Sequence, residues 1–270
     1  MHHDGRAMVA IVRSFRPSAA HRCLVTVGLV ATVLQPGCVD ADVVRTCDPF
    51  GTVTVANGRF IVQQNEWNSS ARQCMRVEGR SWRITRASFD LPTGGPPAAF
   101  PSIFSGCHWG TCTRRGPLPI RVDELDRMRS TWMTDLPSEG AFNLAYDIWT
   151  NSSASTVGQP DGSEVMIWLA RRGRVRPAGS VVGRVRIGGT AWEVWTSRMP
   201  SWNYVAYVRR RGTRAVEDLN LRAFVRDSVR RGSTAPSWYV IAVEAGFEVW
   251  RGGRGLSTLG FRLAAEAADL

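Results

Sequence analysis

The chain of 270 residues carries four histidines, and three of them (His2, His3 and His21) precede residue 22. His108 stands alone, too little for a multi-histidine metal site and a thin basis for a Ser-His-Asp triad. No Gly-x-Ser-x-Gly elbow is present. Nucleophilic attack and proton transfer must then fall to carboxylates, and the informative ones lie inside apolar strands, where a charge is costly. Three segments qualify. In Phe142–Trp149, alternation puts Asn143, Ala145, Asp147 and Trp149 on one face and Leu144, Tyr146 and Ile148 on the other. Glu164–Leu169 sets Glu164, Met166 and Trp168 against Val165, Ile167 and Leu169. Ala245–Trp250 sets Glu248 and Trp250 apart from Phe247 and Val249. Each strand has one core face and one face with a carboxylate beside an aromatic, the lining expected of a cleft that stacks sugar rings and runs acid/base chemistry.

These side chains need rigid elements to hold them. Short apolar runs with turn signals between them predict strands at 52–55, 59–63, 82–90, 142–150, 163–169, 181–187, 191–197, 204–209, 238–249 and 259–264. Gly188-Gly189 predicts a hairpin between two of them. Asp218–Arg231 differs: Leu219, Leu221, Phe224, Val225 and Val229 recur at helical spacing, Asp218 opens the segment and Gly232 stops it. The expected fold is all-β, a two-sheet β-sandwich or jelly roll with one amphipathic helix packed on it. The remaining acids read blandly. Glu193 faces solvent, Asp123, Glu124 and Asp126 form a solvated segment with Arg121, Arg127 and Arg129, and Glu217 and Asp218 begin the helix.

Residues 24–34 form an apolar run preceded by Arg13, Arg16 and Arg22, short for a membrane span and suited to a signal peptide, with Met1 or Met8 as the start. Val39-Asp40-Ala41 offers a secretory cleavage site, which gives a leader at 1–41 and a single catalytic domain at 42–270. Leu34–Cys38 offers the lesser alternative of a lipid anchor on Cys38. Beyond the leader, Cys47, Cys74, Cys107 and Cys112 allow three pairings in an exported chain. A local Cys107–Cys112 bridge would leave Cys47 with Cys74, and zinc is the competing use, without ligand-pair spacing. The net charge of +11 comes from 34 basic residues, all arginine and scattered in short clusters. That pattern reads as surface composition, with no nucleic-acid partner. No oligomer interface is legible, so a monomer is the default.

Four motifs carry a resemblance. Phe100–Gly110, Tyr146-Asp147-Ile148-Trp149, Glu164-Val165-Met166-Ile167-Trp168 and Gly246-Phe247-Glu248-Val249-Trp250 together resemble glycoside hydrolase family twelve, in the same order from about Cys47 to Phe261. That family contains secreted endo-β-1,4-glucanases with a two-sheet jelly roll and one helix. The resemblance implies a nucleophile at Glu164, a general acid/base at Glu248 and a supporting acid at Asp147. It also implies cleft contacts at Asn65, Trp67, His108 and Met166 and, more loosely, at Asn203, with Asn143 and Trp250 on the same strand faces. Glu66 and Asn68 depart from the family's Asn-Asn-x-Trp-Gly loop around Trp67. The implied activity is retaining hydrolysis of β-glucan, with no metal or cofactor. The alternatives are a xyloglucan or mixed-linkage glucan hydrolase, or a non-catalytic glucan-binding module, which would need aromatics and no paired acid and base.

Overall fold

A computed structural model describes residues 43–268, so the expected leader at 1–41, Cys38 included, lies outside the described residues. Two sheets form a sandwich. The smaller runs in the order β1 (Val43–Thr46), β4 (Cys74–Glu78), β5 (Ser81–Arg86), β19 (Ser257–Ala267), β10 (Leu125–Asp135) and β16 (Ala215–Asn220). The larger runs β13 (Ser180–Ile187), β14 (Thr190–Arg198), β15 (Asn203–Arg209), β12 (Ser163–Arg172), β11 (Ala141–Asn151), β17 (Tyr239–Gly246), β7 (Ser102–His108), β3 (Phe60–Gln63) and β2 (Thr52–Val55). Four short strands join it: β18 (Val249–Gly253) on β11, β6 (Ser88–Asp90) on β18, β9 (Ile120–Arg121) on β17 and β8 (Thr111–Cys112) on β7. Neighbours are antiparallel except β12 and β15, which run parallel.

The alternation seen in the sequence decides what lies between the sheets. Leu144, Tyr146 and Ile148 of β11 and Val165, Ile167 and Leu169 of β12 enter the core, where Trp132 of β10 meets Tyr146 edge-on at 5.1 Å. Phe247 lies between Trp82 and Trp132, with ring centroids 5.5 and 5.9 Å away. A side chain of that kind contributes roughly 1.5–3 kcal/mol when fully buried. The opposite faces of β11 and β12, with Ala145, Met166 and Trp168, pack in a second cluster with Phe100, Tyr204 and Trp250.

Several boundaries differ from expectation. The helix α1 spans Leu221–Arg230, and Asn220 caps it by accepting from the Ala223 amide at 3.2 Å. Asp218 therefore does not open the helix. It lies in β16 at φ +50°, ion-paired to Arg129 at 2.7 Å, because Ala215–Asn220 is drawn into pairing with β10. The run 238–249 is broken into β17 and β18, and 82–90 into β5 and β6. β10 is a long strand where a solvated charged segment was expected, since its outward Arg127 and Arg129 mask the inward Met128 and Trp132. Both preferred disulfides, Cys47–Cys74 and Cys107–Cys112, are formed.

Candidate active site

On its outer face the larger sheet carries a cleft of about 1240 Å³. Asp147, Glu164, Glu248, Asn65, Trp67, His108, Met166 and Trp250 all line it. Sequence positions nearly 200 apart meet here because β12, β11, β17 and β7 are consecutive neighbours in the sheet. Glu164 lies opposite Trp149 in the β11–β12 ladder, and Asp147 lies opposite Met166.

Glu164 is almost fully buried, and one oxygen accepts from the Trp202 indole N–H at 2.8 Å. Burial raises its carboxyl to about 7, the Trp202 donor opposes the rise, and the charge of Glu244 adds to it. Glu248 occupies the break between β17 and β18. Asn143 clamps it with three hydrogen bonds. The Asn143 amide donates to the Glu248 carbonyl at 3.0 Å, the Glu248 amide donates to Asn143 Oδ1 at 2.8 Å, and Asn143 Nδ2 donates to the Glu248 carboxylate. Burial lifts the Glu248 carboxyl to about 8, the neighbouring Glu164 charge pushes the same way, and the Asn143 donor resists. Asp147 is pushed well above the carboxylate range by burial and by the charges of Glu164, Glu244 and Glu248, against the pull of the Trp149 indole N–H at 2.8 Å. Its other oxygen has no hydrogen-bond partner among the described residues.

The two carboxyls that could act as nucleophile and acid thus sit in one cleft, both lifted by burial and each held by a different donor. Aromatic rings supply the walls. Trp149, Trp109 and Trp202 pack edge-on, with centroids 4.7 Å apart for Trp109–Trp149 and 5.5 Å for Trp149–Trp202. Trp67 stands half exposed at the rim.

Two expected contacts lie elsewhere. Asn143 is wholly buried beneath Glu248 and reaches the cleft only through it. Asn203 does not line the cleft, because its amide donates to the Ser233 carbonyl at 3.0 Å. Its neighbour Trp202 is the residue that touches the site. The departure at Glu66 is structural: its side chain is buried and accepts from the Gln73 amide at 3.0 Å, while Asn68 donates to the Pro97 carbonyl. Sequence reasoning also missed Glu244. It sits in the apolar run Val240–Val249 at even spacing from Glu248, a signal that would have placed both on one face.

Residues 58–265 match the profile of Glycosyl hydrolase family 12. Among solved structures, a metagenome-derived endoglucanase of that family is 40% identical, with a TM-score of 0.81 over 84% of this chain and 100% of that one. An endoglucanase from Rhodothermus marinus is 40% identical with a TM-score of 0.80, covering 83% and 99%. A probable cellulase of Mycobacterium tuberculosis is 30% identical over 53% of this chain and 94% of its own. A xyloglucan-specific endo-β-1,4-glucanase of Emericella nidulans is 26% identical over 76% and 84%. The match runs from β3 into β19 and takes in each of the strands that hold the three acids, and on that extent the chain belongs to glycosyl hydrolase family 12 and is a glycoside hydrolase.

Proposed function

We propose that the protein is a retaining endo-β-1,4-glucanase acting on cellulose or related β-glucans. The observation that carries the reading is the placing of Glu164 and Glu248 in one aromatic-walled cleft, with separate donors on each. Glu164, ionised and steadied by Trp202, attacks the anomeric carbon while protonated Glu248 gives its proton to the leaving glycosidic oxygen. The glycosyl-enzyme ester then forms, and Glu248, now a carboxylate, takes a proton from water as it attacks the same carbon and releases Glu164. A retaining pair works at a carboxyl separation of roughly 5–5.5 Å. Asp147, its carboxyl pushed upward by burial and by the neighbouring carboxylates, resists placing a third negative charge in the cleft. Trp67 and the tryptophan wall stack glucosyl rings.

The protein works outside the cell on a polysaccharide, as a monomer, after loss of the 1–41 leader. Among the described residues no helix is long and apolar enough to cross a membrane. The deciding experiment is reducing-sugar release from a panel of carboxymethylcellulose, mixed-linkage glucan and xyloglucan, with proton NMR of the first anomer formed. A β-anomer from an unbranched β-1,4 glucan is the expected product. A first-formed α-anomer rules out double displacement, and release from xyloglucan alone moves the substrate to the branched glucan.

A further inference from the structure

Glu244 is the one carboxylate of this site to which the proposed chemistry gives no role. It lies on β17 opposite Asp147 of β11 on one side and Phe104 of β7 on the other, and it is wholly buried. A buried carboxylate persists only where its oxygens are met by donors. Here both are. One oxygen accepts from Gln63 Nε2 at 3.0 Å and from Ser102 Oγ at 3.0 Å, and Gln63 also donates to that hydroxyl, so the serine proton is directed at Glu244. The other oxygen lies 2.6 Å from His108 Nδ1.

Of the three side chains that meet the Glu244 carboxylate, His108 lines the cleft with a ring that can hand on a hydrogen bond. Its placing is built into β7. Gly106 adopts φ +101°, and a Cβ there would fall 2.1 Å from the Ile241 carbonyl, so the strand bends close against β17 where His108 must reach Glu244. The Cys107–Cys112 bridge closes the turn that follows, and Trp109 packs on the imidazole at 4.7 Å. Among the described residues the ring makes no second hydrogen bond.

We propose that Glu244 is a positioning residue acting through His108. A carboxylate that already accepts on its other oxygen requires a donor at Nδ1, so the Nδ1 proton is committed inward and Nε2 is left facing the cleft as an acceptor. The cleft then offers an aimed acceptor to a sugar hydroxyl, on the wall where Trp109 packs against the same ring. The assignment of the ligand as a sugar rests on the reading above; the tautomer does not.

Long-range proton–nitrogen NMR correlation on the full-length protein at pH 8, with the His108 signals identified by their loss in H108N, reads the tautomer directly. A proton on Nδ1 and none on Nε2 is expected, whatever the substrate proves to be. A proton on Nε2 overturns the proposal. Kinetics on a cello-oligosaccharide supply the second measurement. E244Q is expected to raise KM roughly threefold to tenfold, the range for one neutral hydrogen bond, with kcat held within about twofold. In an H108N background E244Q should leave KM where H108N alone puts it. A full E244Q effect in that background would mean that Glu244 serves the sheet and not the ring, and would also overturn the proposal. Absence of activity on cello-oligosaccharides in the native protein, with the Nδ1 tautomer found, would instead count against the glucanase reading.

Discussion

Asn143 and Trp202 divide the control of the two carboxyls proposed as acid and nucleophile between them, and each can be removed separately. Trp202 donates to Glu164 and so favours its ionised form. W202F should raise the Glu164 pKa and move the acid limb of the kcat/KM profile upward by about one unit, the worth of a hydrogen bond to a charged group. Asn143 donates to Glu248. N143A should likewise raise that pKa above about 8, moving the alkaline limb up and leaving the acid limb in place. An alkaline-limb shift in W202F together with an acid-limb shift in N143A would show that the assignment of roles is reversed. The roles themselves predict that E164Q abolishes turnover with the fold retained by circular dichroism. E248A should keep activity chiefly on activated aryl glycosides, where azide should restore a β-glycosyl azide.

At the level of strands and loops, what the sequence disclosed followed from whether a strand's two faces do different work. β11 and β12 read clearly because one face fills the core and the other carries acids and tryptophans. β10 did not, since Arg127 and Arg129 on its outer side break up the apolar pattern of its inner side. The break at Phe247–Glu248 was also hidden, because the clamp that makes it comes from Asn143, about 100 residues earlier. Glu164, Glu248 and Asp147 were picked out from alternation and motif, and Glu244 shares that alternation, while Trp202 depends on a partner that only the fold brings near. The loop stapled by Cys47–Cys74 is a separate matter of chain entropy: with 27 residues of separation, its closure stabilises the fold by roughly 3–4 kcal/mol. C47S/C74S should therefore lower the urea midpoint without altering KM, whereas an altered KM would tie that staple to the cleft.

For the whole molecule, the site has a thermodynamic cost that depends on pH. Glu164, Glu248 and Asp147 bind protons more tightly when folded than when unfolded. The unfolded chain ionises these groups first, so their own contribution to stability is most favourable below the ordinary carboxylate range and is lost as pH rises from there through about 8. E248Q should then melt several degrees above the native protein at pH 9 and close to it at pH 4, as followed by calorimetry. A variant equally stabilised at both pH values would show that the gain comes from packing. The second bridge, Cys107–Cys112, carries a different kind of consequence. It ties down the turn bearing His108 and Trp109, while the carboxylates and the core are held by other elements. Protein synthesised in a reducing cytosol should accordingly fold with its acids in place and its tryptophan wall slack. Mild reductant would then act on such an enzyme as a weakener of grip, read as a higher KM, and not as a denaturant, and an oxidising environment would be what gives the cleft its final shape.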